Sequence, residues 1–577
     1  MLLVGLLRGV RLIGVLSEEH EKDVVDEFFQ LFKTPWEFYE PGRPYEVVLS
    51  SKHDTPALDS KLLIVYGANR KRVDSTHATM PQPAGKGLLI ERGASEIPIY
   101  GGCTAFAGKG EALLQATGRS KRVALRLRGE RGDIVRVGFD LFGEVGHLLT
   151  RGQPPENALV PTLDLHIAIL RDWILDAGIP VIEIPSIPRG YSFAACLTHD
   201  VDFAGIRRHC FDHTMWGFVY RVCRDVVKSV THEKTSRTRV FLNCKALLSL
   251  PLVYLGVCRD FWLCFDEYAR IEGASKSTFF MVPFKRCPGD NVGVAHAKWR
   301  ATKYDVMDIR EKVQELASNG FEIGVHGIDA WHNGIKAKQE LKRIAQFTSQ
   351  KELGVRSHWL CFGKDSARTL DEAGFAYDST FGYNQTVGYR AGTTQVFRPL
   401  GSRVMLELPL HLQDSALLSP SMCTSMEDDA WHSCTDLFEA TAKYGGVLTI
   451  LWHLRSLAPE RNWKDFYLRI LQELKSRGVW FTTAGRVVDW FRRRRSVSFE
   501  RVDFSDAGLQ LILKTGESVP IPGFLLRVHL PANTGGKPRP EQREHVDVPW
   551  DGAREINVDL ATRDNPSPSS RLSCFHS

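Results

Sequence analysis

Two carboxylates stand two residues apart in the pentapeptide THDVD at 198–202. The preceding run YSFAACLT is apolar enough for a buried strand, so the pair follows the end of a strand. In an extended segment, residues i and i+2 point to the same side, so Asp200 and Asp202 can face one site. Two like charges this close are costly unless a cation lies between them or one is protonated. The alternative explanation is an Asx-turn or a helix cap.

Imidazole side chains follow two other apolar strands of the same region. EIGVHGIDAWHN supplies His326 and His332 with Asp329 between them, and VLTILW ends at His453. A single histidine after a strand is more often structural, but parallel α/β folds place their chemistry at the carboxyl ends of several strands. Neutral imidazole is a common ligand of zinc and similar ions. The set predicts a divalent-metal site, with zinc as the expected ion.

The elements that position these residues alternate between strand and helix from about residue 189 to residue 497. The apolar run STFFMVPF predicts a strand, and DIREKVQELASNG and TDLFEATAKYGG predict helices that end at glycine. Strands separated by helices predict a parallel α/β sheet or barrel. We therefore expect the ionisable residues to meet at one end of this domain.

These motifs resemble those of the polysaccharide deacetylase (NodB-homology) family over about residues 190–490. The resemblance implies a distorted (β/α) barrel that removes N-acyl groups from amino sugars. Asp200-Val201-Asp202 is similar to the variant of the first motif in which one residue separates the catalytic base from a metal-binding aspartate. His326 in EIGVH matches the metal-binding histidine of the second motif, and Leu451-Trp452-His453 matches the L-x-H of the fifth.

The resemblance also assigns roles outside the presumed metal ligands. Arg356 in GVRSHWL matches the arginine that orients the base, and Trp359 beside it is expected to contact the substrate. Arg390 in GYRAGT is a candidate sugar- or phosphate-binding residue, with a structural surface arginine as the equal alternative. YDSTFGYNQTVGYRAGTTQVFRP and LELPLHLQDSAL are similar to bacterial members that have an extra N-terminal region.

The third metal ligand is the point where this sequence departs from the family pattern. The family usually places a second histidine four positions after the first, where Ala330 stands here. His332 is the first choice instead. The alternatives are Asp329, His358 and His411. If none of them reaches the ion, the domain is a catalytically silent carbohydrate-binding protein; a non-sugar amidohydrolase on the same barrel is a further alternative.

The resemblance implies the following mechanism of amide hydrolysis. The ion, held by Asp202, His326 and the third ligand, activates a water and an amide carbonyl. Asp200 takes the proton of the water, and Arg356 keeps Asp200 ionised by charge pairing. His453 protonates the departing amine, which is too poor a leaving group without a proton.

The rest of the 577-residue chain forms additional domains. Residues 1–188 alternate strand and helix without a nucleophile elbow, a phosphate loop or a dinucleotide fingerprint, which predicts an α/β accessory domain. Residues 498–562 have short polar-flanked strands and predict a small β-sandwich-like module. Residues 563–577 are rich in Ser and Pro and predict a disordered tail.

An insertion at 205–265 interrupts the barrel pattern. Residues 205–245 contain nine Lys or Arg against three Asp or Glu, and ALLSLPLVYLGVCRDFWLCF follows closely. Pro251 and the Arg259-Asp260 pair make this a poor membrane span. One interpretation is a helical insertion that lies on the domain. The other is a basic, apolar-faced element that rests peripherally on an anionic membrane.

Composition restricts the partners and the compartment. A net charge of +6 is small for this length and does not indicate nucleic-acid binding, and RRRR at 492–495 suits the last turn of a helix. The 12 cysteines form no C-x-x-C pair, which favours a reducing compartment. Arg8 and Arg11 interrupt the apolar N-terminus, so we expect no export signal. The prediction is a cytoplasmic enzyme of cell-envelope saccharide synthesis whose substrate is carried on a lipid or nucleotide.

Overall fold

A computed structural model describes most of the chain. The described residues are 13–55, 59–93, 95–118, 121–129, 132–231, 237–290, 300–418, 427–461, 463–505, 508–531 and 544–558. The predicted tail at 563–577 and the N-terminal segment with Arg8 and Arg11 lie outside these residues.

The N-terminal region forms a mixed sheet packed with helices. Its elements are β1 (Ile13–Leu16), α1 (Lys22–Phe32), β2 (Trp36–Phe38), β3 (Val47–Ser50), β4 (Leu62–Tyr66), α2 (Arg72–Thr76), β5 (Met80–Arg92), β6 (Ser95–Ala107), β7 (Glu111–Ala116), β8 (Lys121–Arg128), β9 (Asp133–Val137), α3 (Leu141–Thr150) and α4 (Thr162–Asp176). The described strands run in the order β2-β1-β3-β4-β9-β8-β7-β5-β6. The first five are parallel, and the pairings from β9 to β6 are antiparallel.

The central domain is a parallel half-barrel, which confirms the predicted distorted (β/α) barrel. Its elements are β11 (Ala194–Val201), α5 (His213–Thr231), α6 (Arg237–Tyr254), α7 (Phe265–Glu272), β12 (Thr278–Met281), α8 (Arg310–Ser318), β13 (Glu322–Gly327), α9 (Gly334–Ala345), β14 (Gly354–Ser357), α10 (Ser366–Ala373), β15 (Tyr377–Asp378), β16 (Leu406–Glu407), β17 (Leu412–Gln413), α11 (Asp414–Leu418), α12 (Glu427–Tyr444), β18 (Val447–Leu451), α13 (Lys464–Ser476), β19 (Trp480–Thr482) and α14 (Ala484–Ser496). The strand order is β16-β15-β14-β13-β12-β11-β18-β17, with β19 added to β11.

The middle strands of the half-barrel are buried on both faces, as is usual for parallel sheets. Every residue of β11 and β13 is buried. Gly324 of β13 is required here, because a Cβ at this position would lie 2.6 Å from the ring of Phe280 on β12. The same ring lies 4.5 Å from the guanidinium carbon of Arg356 on β14. The packing of three adjacent strands thereby fixes Arg356 below the strand ends.

The C-terminal region forms two small antiparallel sheets. Its strands are β20 (Ser498–Ser505), β21 (Gly508–Lys514), β22 (Phe524–His529), β23 (His545–Trp550) and β24 (Glu555–Val558). One sheet has the order β20-β21-β24, and the other has the order β10-β22-β23. The strand β10 (Val181–Glu183) comes from the segment that the sequence places in the N-terminal domain, so the C-terminal module is completed by residues before the barrel.

The polyarginine run at the end of α14 connects these regions. Arg494 is buried and donates to the backbone oxygens of Ile184 and Leu31, at 2.9 and 3.0 Å. Arg495 forms a bidentate pair with Glu27 at 2.8 and 2.7 Å. These two arginines serve internal packing between the domains.

The insertion at 205–265 contains the two helices α5 and α6, so the expectation of a helical insertion agrees with the structure. Among the residues that the structure describes, no helix is both long enough and apolar enough to cross a membrane.

Candidate metal-dependent active site

Three ligand atoms from different strand ends converge at the carboxyl edge of the half-barrel. Asp202 follows β11, His326 lies near the end of β13, and His358 directly follows β14. Asp202 Oδ1 lies 3.1 Å from His326 Nε2 and 3.2 Å from His358 Nδ1. The two imidazole nitrogens are 2.7 Å apart. Ligands about 2.1 Å from a shared ion lie about 3.0–3.4 Å from one another, so this triangle has nearly the size of one face of a metal coordination shell.

The hydrogen-bond roles of His326 show that a cation fits this triangle. His326 Nδ1 lies 3.0 Å from the backbone oxygen of Arg356, which can only accept, so Nδ1 carries a proton. In the tautomer that carries its proton on Nδ1, His326 presents the Nε2 lone pair to the carboxylate of Asp202. A single proton can bridge only one of the three contacts among Asp202 Oδ1, His326 Nε2 and His358 Nδ1. A metal cation at their centre can bind all three atoms. The donor set of two imidazoles and one carboxylate is typical of zinc sites with an open position.

Electrostatics favours the protonation states that bind metal. Burial opposes ionisation of Asp202, but the facing His358, His326 and His453 hold its pKa well below the ordinary value. Burial chiefly lowers the pKa of His358, which keeps its imidazole neutral. An ionised carboxylate and a neutral imidazole are the ligand forms.

The structure does not bring His332, the first choice for third ligand, to Asp202 and His326. His332 Nε2 instead lies 3.4 Å from Asp329 and 3.7 Å from Asp290, in a second acidic group. The ammonium of Lys336 already contacts both aspartates, Asp290 at 2.6 Å and Asp329 at 2.8 Å. His358, one of the alternatives, takes the place beside His326, since β13 and β14 pair His326 with Arg356 and His358 stands two residues further along.

Two more predicted residues lie away from the triangle. His411 is buried between the backbone of Thr393 and Thr449, and burial lowers its pKa to about 4. Arg390 donates to the backbone oxygen of Gly382 at 2.9 Å and lies over the Phe381 ring. Arg390 is not among the residues that line the cavity at the site, so the structure gives it a packing role.

Asp200 and Arg356 form a fixed pair below the triangle. Arg356 is fully buried and donates to Asp200 Oδ1 at 3.0 Å and to Thr198 Oγ1 at 2.7 Å. Its other nitrogens donate to the backbone oxygen and the hydroxyl of Ser379 at 2.9 and 2.8 Å. Asp200 Oδ2 lies 3.9 Å from His326 Nδ1. Among the described residues, Oδ2 has no hydrogen-bond donor, so it is the oxygen available to accept a proton from a reactant.

His453 is held on the opposite side of Asp202 by a residue that the motif analysis did not single out. Asp414, buried at the start of α11, accepts from His453 Nδ1 at 2.6 Å and from the His453 backbone N–H at 2.7 Å. Ser456 donates to the second carboxylate oxygen. His453 Nε2 points to Asp202 Oδ2 at 3.7 Å. Burial acts to lower the pKa of His453, but the carboxylates, chiefly Asp414 and then Asp202 and Asp200, raise it to about 9.

These side chains open into one cavity of about 780 Å³. Asp200, Asp202, His326, His358 and His453 all line it. Its remaining lining is mixed polar and apolar and includes Phe203, Trp359, Leu360, Cys361, Asn384, Gln385, Gln413, Ser415, Leu451, Arg455 and Arg461. A cavity of this size suits a ligand of one or a few rings.

Trp359 stands at the rim of this cavity in a strained backbone conformation. Its φ is 64° and that of Leu360 is 51°, both in the left-handed region that side chains other than glycine rarely adopt. Asn384 donates to the Trp359 backbone oxygen at 3.1 Å and holds the turn. The turn leaves the Trp359 side chain 41% exposed, so its ring can meet a ligand. Backbone strain of this kind concentrates at functional sites.

Among solved structures, one from Mycobacterium smegmatis described as a polysaccharide deacetylase aligns with 54% of this chain and 93% of its own, at 16% identity and a TM-score of 0.33. The carbohydrate deacetylase Agd3 aligns with 96% of this chain and 99% of its own, at 8% sequence identity and a TM-score of 0.37. A protein of Pseudomonas aeruginosa PAO1 assigned as a polysaccharide deacetylase aligns with 56% of this chain and 98% of its own, at 15% identity and a TM-score of 0.33. Puue allantoinase aligns with 53% of this chain and 92% of its own, at 15% identity and a TM-score of 0.31.

No family model matches the sequence, and the comparison with curated proteins gives no match.

Proposed function

We propose that the protein hydrolyses an N-acyl amide, with N-acetyl as the leading case, on an amino sugar. One observation carries the proposal: a metal-sized triangle, a carboxylate with an accepting oxygen and a protonated imidazole line the same cavity. These are the three parts that amide hydrolysis needs, since the water must be activated, its proton removed and the amine protonated.

Asp202, His326 and His358 are the residues that would hold a divalent cation, with zinc as the proposed ion. The chemistry that such a cation supplies is activation of a water and polarisation of the amide carbonyl. Asp200 acts as the base through Oδ2, because Oδ1 is occupied by Arg356. Arg356 fixes the rotamer of that carboxylate through this bond, so it is a positioning residue.

His453 supplies the proton for the leaving amine. Its Nδ1–H is held by Asp414, so Nε2–H points into the cavity. With a pKa raised to about 9, the imidazole is protonated at neutral pH and loses its proton only as the pH rises through that value. A general acid in this state can donate without prior proton uptake.

Replacing Asp414 with asparagine is predicted to move the alkaline limb of the pH–rate profile toward acid. The change removes the largest charge that raises the pKa of His453, while the weaker contributions of Asp202 and Asp200 remain, so burial counts for more and we expect that pKa to fall. At pH 8 we expect kcat to fall about tenfold or more. Ser456→Ala is the matched control, because it removes one hydrogen bond of Asp414 and leaves the charge. An unchanged alkaline limb in Asp414→Asn would show that His453 is not the acid.

The proposed substrate is a saccharide carried on a lipid or a nucleotide. Trp359 at the rim offers an exposed ring, and Asn384 and Gln385 offer amide groups on the same wall. Arg455 and Arg461 add two guanidinium groups, which suit the phosphates of such a carrier. We place the reaction in the cytoplasm, since all ten cysteines that the structure describes are free, as is usual in a reducing compartment.

Acetate release from N-acetylglucosamine oligomers tests the proposal. The protein is stripped with a chelator and then assayed before and after one equivalent of Zn²⁺. We expect no release from the stripped protein and recovery with the ion. Binding of the oligomers without acetate release at any Zn²⁺ concentration would instead identify a silent carbohydrate-binding protein, and release that ignores the ion would remove the metal from the reaction.

A further inference from the structure

The α5–α6 hairpin of the insertion presents large apolar side chains to solvent. Phe241, Leu248 and Leu252 of α6 and Leu255 directly after it are 67, 79, 44 and 76% exposed. Their spacings of seven, four and three residues place them on one face of the helix. The result is an apolar stripe from Phe241 to the end of α6.

The neighbouring helix continues this pattern. Trp216 and Tyr220, one turn apart on α5, are 56 and 67% exposed. We call these two residues and the four just given the apolar face. Exposed apolar groups of this number on adjoining helices exceed the scattered single residues of an ordinary surface and mark an interaction site.

The opposite side of the hairpin is also apolar. Ala246, Leu250 and Val253 of α6 are buried with Phe218 of α5 against Trp262. Apolar residues therefore lie on two opposite faces of α6, whereas an ordinary surface helix has a single apolar stripe. Among the residues that the structure describes, the domain covers only one of these faces, and the outer face is exposed to solvent.

Charge indicates what provides that environment. The sequence of residues 205–245 has nine Lys or Arg against three acids, of which Arg207 and Arg208 are bound within the chain, and Lys245 is exposed between Phe241 and Leu248 on the same face of α6. Leucines with tryptophan and tyrosine, interspersed with cations, are the composition of helices that lie in the headgroup region of anionic bilayers. A protein partner or a second copy of this chain could cover the apolar face without the excess of Lys and Arg in residues 205–245.

The base of the hairpin is fixed next to the cavity. Asp260 accepts backbone N–H groups of Ile206, Arg207 and Trp262, each at 3.0 Å, and so joins the two ends of the insertion. The Trp262 ring lies 3.8 Å from the guanidinium carbon of Arg455, which lines the cavity. The hairpin and the cavity are therefore rigidly connected through a packed contact.

We propose that the apolar face docks on the surface of an anionic lipid bilayer and holds the cavity next to that surface. The docking itself goes beyond the proposed function. Its consequence, a lipid-linked saccharide as substrate, rests on that function. Docking at headgroup depth buries the apolar face and brings the ammonium of Lys245 to the lipid phosphates.

Flotation of the full-length protein with vesicles tests the docking. We use vesicles of phosphatidylglycerol and phosphatidylethanolamine, and of phosphatidylcholine alone, at low salt. Wild type is expected to float with the anionic vesicles and much less with the neutral ones. Phe241→Ser with Leu248→Ser and Leu255→Ser is expected to lower the partition coefficient about tenfold or more, because three side chains lose their apolar contact. Since these side chains are exposed, the variant keeps its fold and its acetate release from a soluble oligomer.

A matched control changes equally exposed apolar residues elsewhere: Met80→Ser with Ile335→Ser and Val404→Ser, at 62, 74 and 72% exposure. This variant is expected to float like wild type, and so is Asp200→Asn, which separates docking from catalysis. Absence of wild-type flotation, or equal flotation of the α6 variant, would overturn the proposal. So would a wild-type dimer in sedimentation that the α6 variant abolishes without any vesicle binding.

Discussion

His358→Gln is expected to weaken Zn²⁺ binding on the order of 100-fold or more. Removing a residue that only supports a ligand already costs about 10–100-fold in affinity, so loss of a ligand costs at least as much. In the structure His358 Nδ1 lies 2.7 Å from His326 Nε2 and 3.2 Å from Asp202 Oδ1, so its loss opens one corner of the triangle. Competition with a chromophoric chelator measures the affinity, and elemental analysis measures the ion content.

His332→Gln is the matched control for this experiment. His332 is the histidine that sequence spacing favours, but Lys336 supplies the positive charge to its acidic group. We expect unchanged Zn²⁺ affinity and one ion per chain. Loss of the ion in His332→Gln together with retention in His358→Gln would reverse the ligand assignment, and thermal unfolding of both variants checks that each is folded.

Asp200→Asn is expected to lower kcat by about 10²–10⁴ while the bound ion remains. Asparagine can keep the acceptor oxygen for Arg356, but its amide cannot take a proton from a water, and that is the range general-base catalysis contributes. The residue is buried at a strand end and lies outside the ligand triangle, so the metal content should not change. Steady-state rates at saturating Zn²⁺ and ion content on the same sample measure both parts.

Asp202→Asn provides the contrast to Asp200→Asn. It sits two residues away and contributes Oδ1 to the triangle, so we expect it to lose the ion and the activity together. An Asp200→Asn protein that retains activity within about threefold of wild type would exclude Asp200 as the base. Loss of the ion in Asp200→Asn would make it a ligand instead.

The strand-end residues of the site are predictable from sequence because their positions are local. Asp200 and His326 lie at the ends of buried apolar strands, and Asp202 and His453 closely follow such strands, which is enough to bring all four to one edge of a parallel sheet. The fold class follows from the same alternation of strand and helix. Neither inference needs knowledge of a loop conformation.

The remaining site residues depend on tertiary geometry that no spacing records. The position of His358 depends on the turn after β14, where Trp359 and Leu360 have positive φ although neither is glycine. Asp414 follows β17, a two-residue strand too short to produce a pattern, and reaches His453 only because β17 pairs with β18. Asp414 lies in LELPLHLQDSAL, and the similarity of this stretch to bacterial family members is the sequence signal that could have located it.

The domain boundaries show a similar limit. The short apolar segment Val181–Glu183 has the local features of a linker strand, yet it pairs with β22, more than three hundred residues later in the chain. Strand partners of such separation cannot be inferred from periodicity, because periodicity reports only which face of an element is buried.

Anomalous diffraction at the zinc edge from crystals of the Zn²⁺-loaded protein tests the metal assignment most directly. We predict one peak per chain, about 2.0–2.2 Å from Asp202 Oδ1, His326 Nε2 and His358 Nδ1, with an open position toward the cavity. A peak between Asp290, Asp329 and His332, or no peak within ligand distance of His326, would contradict the assignment and with it the proposed hydrolysis.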